Sequence, residues 1–315
     1  MLNRRHIRVK VMHALYGFFQ SENDDIARGE KELFYSIDKT YELYIWMLQL
    51  IVELKECAWQ ITEERKHKRL PTADDLNPNT KFINNKLIEL LQNNAELHDK
   101  VVKYKVNWQP RYELVRRLLG KFTQGEEYQK YMAKPGKSFA DDKNIVLALI
   151  EEYIAPDEDL REKMEEDSIY FADDWVVTIG ALARTVELFN ENSDEGQRLL
   201  ATYKDADDDA KFTKDLFRKT ILSSKAYEEL IVSKVKNWEI ERLAAMDVLL
   251  IKMAIAEILN FPSIPVKVSL NEYIELSKIY STPQSKAFVN GLLDKIVGEM
   301  KEKGEIKKAG RGLIE

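Results

Sequence analysis

IERLAAMDVLLIKMAIAEIL (240–259), then FPSIP (261–265), then VKVSLNEYIELSKIY (266–280) sets the pattern of the chain. In the first stretch Ile240, Leu243, Ala244, Val248 and Ile251 recur at the spacing of one helix face, which predicts a helix over about 239–260. Two prolines in FPSIP cannot both sit inside a helix, so that segment separates two helices. Ser269 followed three residues later by Glu272 has the form of a capping box and predicts a helix over about 270–280. Thr282 before Pro283 predicts an N-cap with proline at the first helical position, opening a helix over 283–302.

The same period extends outward. Ile7, Val11, Ala14, Leu15 and Phe18 stripe a first helix, and Leu33, Ile37, Tyr41, Tyr44, Leu48, Ile51, Val52 and Leu54 stripe a long one over about 30–69. PTADDLNPN (71–79), KPGK (134–137) and AP (155–156) are breaks. Between and after them, helices are expected near 81–106, 111–121, 142–153, 159–191, 211–222 and 224–236. With 12 glycines and 8 prolines in 315 residues, and 32 % charged residues, the expected class is all-α. A lone Cys57 excludes a disulfide framework and a cysteine zinc site, and fits a reducing, cytoplasmic setting. The sequence contains no apolar run of membrane-spanning length. Burial is the ordinary expectation for Trp46, Trp59, Trp108 and Trp175.

A net charge of −6 at first disfavours nucleic acid, but the charge is unevenly placed. Residues 1–20 carry Arg4, Arg5, Arg8 and Lys10 and no acid. Residues 207–302 are nearly neutral, with 14 basic and 15 acidic side chains, and the polar tail 303–315 is +2. Residues 21–206 hold 26 basic and 37 acidic side chains, so the middle of the chain supplies the acidity.

No phosphate loop, dinucleotide fingerprint or nucleophile elbow is present, and His6, His13, His67 and His98 lack metal-ligand spacing. These residues suggest a binding protein with no cofactor and no enzymatic role. At 100° per residue, Arg5, Arg8, Met12, Tyr16 and Phe19 share one stripe of the first helix. Guanidinium groups neutralise phosphate and an aromatic ring offers a face to a base, so the stripe suits single-stranded nucleic acid. An ordinary basic helix start, with Tyr16 packed on a neighbour, would look the same. Asp247 interrupts an apolar stripe; a carboxylate there requires a local basic partner or an adjoining protein. The Asn290–Gly291 pair suggests an amide satisfying loop backbone and a glycine allowing close helix packing.

RRHIRVKVMHALY (4–16) resembles the arginine-rich opening of the NusB family. The stretches 240–259, 264–280 and KAFVNGLLDKI (286–296) resemble its last three helices, in order. The resemblance implies a NusB-like helical bundle core, formed by residues 1–20 and 207–302, interrupted by an acidic helical insertion, 21–206. It further implies an antitermination factor that binds boxA-type RNA with the ribosomal protein NusE, acting on RNA polymerase at ribosomal RNA operons. Arg4, Arg5 and Arg8 fall in the family's RNA-binding motif and Tyr16 matches its tyrosine, while His6 stands where a further arginine is common. Tyr280 and Phe288 match aromatic positions near the RNA. Asp247 lies at an acidic position close to the NusE surface, and Gln284 occupies a position that is usually acidic and affects affinity for NusE or RNA. The alternative is a protein-only adaptor whose acidic insertion binds a basic partner. An accessory module for an enzyme that modifies ribosomal RNA is a third possibility, since similar domains occur fused to a methyltransferase.

Overall fold

A computed structural model describes residues 1–21, 24–235 and 243–313. Among the described residues the chain is helical, without β-strands: α1 (Arg4–Gln20), α2 (Ile26–Lys66), α3 (Ala73–Leu76), α4 (Lys86–Gln92), α5 (Ala95–Tyr104), α6 (Tyr112–Gln124), α7 (Glu126–Ala133), α8 (Phe139–Ala148), α9 (Glu158–Asp167), α10 (Trp175–Leu188), α11 (Ala206–Leu222), α12 (Ser224–Lys234), α13 (Ala245–Asn260), α14 (Val266–Tyr280) and α15 (Ser285–Glu302). The all-α expectation holds. The chain divides into two compact units. A continuous unit comprises Asp38–Thr202 with Met1, and a split unit comprises Leu2–Ile37 with Tyr203–Glu315. The expected boundaries, 20/21 and 206/207, thus differ from the unit boundaries, 37/38 and 202/203. The first turns of α2 account for the difference at the N-terminal boundary. Gly29 lies close against the rings of Phe18 and Phe217, and Glu30 pairs with Lys214 and Arg218, all within the split unit. No break in the helix marks residue 37, so periodicity alone is blind to the boundary.

The continuous unit has one large core drawn from α2, α4, α6, α8, α10 and the π-turn Leu149–Ile154 that extends α8. Trp46, Trp108 and Trp175 belong to this core, whereas Trp59 is about half exposed. The Trp108 indole N–H donates to the Trp46 carbonyl at 3.2 Å, which satisfies the polar edge of a buried ring. Phe122 meets Phe82, Tyr128 and Tyr153 edge-on, with centroids 5.0–5.4 Å apart. Cys57 is buried, and burial pushes its thiol above the usual range. Two long predicted helices are interrupted here. Asn94 caps α5 through Leu97 N–H and divides 81–106, and 159–191 breaks after Asp167, where the Ser168 side chain accepts from Tyr170 N–H before α10 begins at Trp175.

In the split unit α13 is the central element, packed by α1, α11, α12, α14 and α15. Every residue from Leu249 to Ile258 is buried, as expected of a helix apolar on all sides. Ile240 and the start of the predicted 239–260 helix lie outside the described residues. Phe261 to Pro265 separates α13 from α14, as FPSIP requires. Both predicted caps are displaced. α14 starts at Val266, directly after Pro265, so Ser269 lies inside the helix and its hydroxyl goes elsewhere. α15 starts at Ser285, and in the preceding turn the Thr282 N–H instead donates to Ser285 Oγ at 3.1 Å. Gly291 faces open space, and Asn290 bonds Asp294 within α15, so neither serves close packing or a loop.

Candidate nucleic-acid interface

The interface is assembled on α1. Asn3 caps it by accepting from His6 N–H at 3.0 Å, while His6 Nδ1 faces Asn3 N–H. His6 therefore has a helix-start role at the position where the resemblance expects an arginine. With the helix started there, the three arginines leave in three directions. Arg4 donates to Asp208 at 2.6 Å and Asp209 at 2.9 Å, in the first turn of α11, and its guanidinium lies 4.2 Å from the Phe212 ring centroid. Arg5 is bidentate to Glu272 on α14, at 2.9 and 2.7 Å, with about half of its side chain exposed. This hydrogen bond raises the Arg5 pKa and holds the Glu272 carboxyl below its usual range.

Arg8 points inward. It is 3 % exposed and bidentate to Glu257 of α13, which is fully buried, at 2.8 and 2.7 Å. Glu257 also accepts from Ser269 Oγ at 2.7 Å and from the Tyr273 hydroxyl at 2.9 Å. Burial alone would lower the Arg8 pKa, but the Glu257 contacts reverse the sign and hold it above the arginine range. Burial, then the Glu257 charge, pushes the Tyr273 phenol well up. The same guanidinium comes within 3.6 Å of Glu272, so Arg5 and Arg8 meet at one carboxylate. Met12, placed on the same stripe by spacing, is fully buried. Tyr16 is 41 % exposed and Phe19 38 %. Lys252 reaches the Phe19 ring at 5.6 Å.

Tyr280, at the end of α14, packs edge-on against His13 of α1 at 5.3 Å. The structure thus brings Tyr280 to the helix that carries the arginines. Phe288 is half-buried in the first turn of α15, its N–H bonded to the Gln284 carbonyl. Gln284 is exposed. Asp247 is 5 % exposed; its Oδ2 accepts from Ser285 Oγ at 2.8 Å, and its Oδ1 has no hydrogen bond among the described residues. The local partner of Asp247 is thus a serine rather than a basic side chain, beside Gln284.

Spacing alone missed the acidic half of this arrangement: Asp208, Asp209, Glu257 and Glu272. Glu257 left a signal, since it stands in the run KMAIAEIL, as conspicuous among apolar residues as Asp247. Among the described residues there is no cluster able to hold a metal ion, and no helix is long and apolar enough to cross a membrane.

Residues 180–298 match the model of the NusB family. The transcription antitermination protein NusB of Salinibacter ruber is 46 % identical over 103 residues, covering 33 % of this chain and 64 % of that protein. That of Chloroherpeton thalassium is 48 % identical over 85 residues, covering 27 % and 40 %. That of Natranaerobius thermophilus is 40 % identical over 73 residues, covering 23 % and 52 %. The chain therefore spans less than two thirds of the length of each of these relatives. No solved structure matches it. Over residues 180–298, the chain is similar to the NusB family.

Proposed function

We propose that the protein is a transcription antitermination factor that binds boxA-type RNA together with the ribosomal protein NusE, and so keeps RNA polymerase processive on ribosomal RNA operons. The observation that carries this reading is the NusB-family stretch in a chain whose α1 bears exposed Arg5 and Tyr16. On this reading Arg5 exchanges Glu272, and Arg4 exchanges Asp208, for phosphate oxygens. Tyr16, Tyr280 and Phe288 offer ring faces to bases, each worth about 1–3 kcal/mol when stacked. Arg8 acts from beneath: its clasp on Glu257 fixes the rotation of α1 that presents Arg5. Gln284, at the start of α15, forms the edge that meets NusE, with the buried Asp247 holding Ser285 behind it.

The test is retardation of a boxA RNA by the full chain with and without NusE. Arg5→Ala combined with Tyr16→Ala is expected to weaken the shift at least tenfold, and affinity is expected to fall as salt rises. An unchanged shift in that variant removes the assignment of α1. If wild-type protein with NusE shifts no RNA but still binds a basic protein, the adaptor reading replaces this one.

A further inference from the structure

The continuous unit carries 23 basic and 31 acidic side chains over residues 38–202, yet five successive positions at the end of α2 read RKHKR (65–69). A helix C-terminus is equivalent to roughly half a negative charge, which one or two cations satisfy. Lys66 pairs with Glu63 and Lys68 with Asp75, but Arg65 and Arg69 have no ion pair among the described residues. Arg65, the first of the run, lines a cleft of about 990 Å³ bounded by α2, α6, α7 and the segment around Asn79. Arg65 enters the cleft from α2, and Arg116 enters from α6, held only loosely by Glu64 at 3.8 Å. Asn77 and Gln124 line it with exposed amides, and Tyr128 lines it with a half-buried phenol. Burial pushes that phenol up to about 12, against the nearby Arg65 charge. Asp74 is the acidic member of the lining.

We propose that this cleft binds single-stranded RNA: Arg65 and Arg116 on the phosphates, and Asn77 and Gln124 on base edges. The assignment favours RNA over an acidic peptide for a chemical reason. Guanidinium groups alone would serve either polyanion, but side-chain amides that donate and accept match the hydrogen-bonding edges of unpaired bases. The site is separate from α1 and does not depend on the role proposed for Arg5.

Fluorescence anisotropy of a labelled 12-nucleotide single-stranded RNA of mixed sequence, titrated with the full chain, tests it. Arg65→Ala with Arg116→Ala is expected to lower affinity at least tenfold. The same change should flatten the slope of log affinity against log salt by about 1.4, since each lost contact to a single strand removes about 0.7. Gln124→Glu, an exposed and nearly isosteric change, is expected to weaken binding severalfold without altering the circular dichroism spectrum. Ultraviolet cross-links should map to the segments around Tyr128 and Arg65. Three results would overturn the proposal: unchanged binding in both variants, cross-links confined to α1 and residues 203–313, or binding of a labelled poly-glutamate peptide where the RNA does not bind. Because Arg5→Ala is run in parallel, loss of binding there alone would remove the cleft and keep the α1 surface.

Discussion

The two units solve the same problem, holding helices in place, with different chemistry. The continuous unit is filled by aliphatic and aromatic side chains, with buried hydroxyls such as those of Tyr44 and Thr185 bonded to each other, and its ion pairs stand near the rim, as where Asp157 receives Arg117, Lys121 and the first turn of α9. The split unit places an arginine, a glutamate, a serine and a tyrosine at its centre. Apolar packing is non-directional, whereas a bidentate guanidinium pair accepts one geometry. A segment close in sequence to its neighbours can be positioned by packing alone. α1, whose partner on α13 is 249 residues away, is given a directional lock.

The largest expected effect breaks that lock. Glu257→Ala leaves Arg8 buried without its counter-charge, a change of about 3–5 kcal/mol. Amide hydrogen exchange should show α1, α13 and α14 losing protection while α4, α6 and α10 keep theirs; equal loss in both groups would erase the contrast. In the continuous unit, Leu91→Ala removes a fully buried side chain and should cost about 2–4 kcal/mol by denaturant unfolding. A cost below about 1 kcal/mol would mean that its core is not what holds it.

Asp157 sharpens the comparison at its polar edge. Burial alone would raise its pKa, but Arg117, Lys121 and the Leu160 N–H bring it down to about 2. A depressed carboxyl stabilises the fold above its ordinary pKa near 4, and that contribution disappears as pH falls toward 2. Asp157→Asn should therefore cost about 1–2 kcal/mol at pH 7, after allowance for the partly exposed Lys121, and almost nothing at pH 2. Urea unfolding of both forms at the two pH values checks this. The smallest expected change in stability is at Arg5. Its exposed pair with Glu272 should contribute less than about 1 kcal/mol, so Arg5→Ala ought to unfold at nearly the wild-type urea concentration.

The helices were largely legible because a 3.6-residue stripe survives any tertiary context; α11, α12 and the FPSIP break fall close to where the stripe places them. What stayed hidden depended on single polar atoms with more than one possible partner. Ser269 had the pattern of a cap, but Glu257 offered its hydroxyl a buried acceptor that local sequence does not reveal. Asn94 had no pattern around it and proved to be a cap. The same ambiguity governs the interface. Arg4, Arg5 and Arg8 look alike in RRHIR, and only the positions of Asp208, Glu272 and Glu257 separate the two outer guanidinium groups from the inner one. The Asp247 surroundings were half legible: the sequence demanded a partner, and the fold supplied a hydroxyl.

The separation between Arg8 and Glu257 also has a consequence in time. A chain made from its N-terminus at roughly 5–20 residues per second reaches Glu257 about 12–50 s after Arg8. Throughout that interval the N-terminal helix has been synthesised without its acceptor. Residues 38–202 are all made before Tyr203, so the continuous unit can complete itself first. The arginine-rich helix is therefore among the first segments made and among the last to be secured.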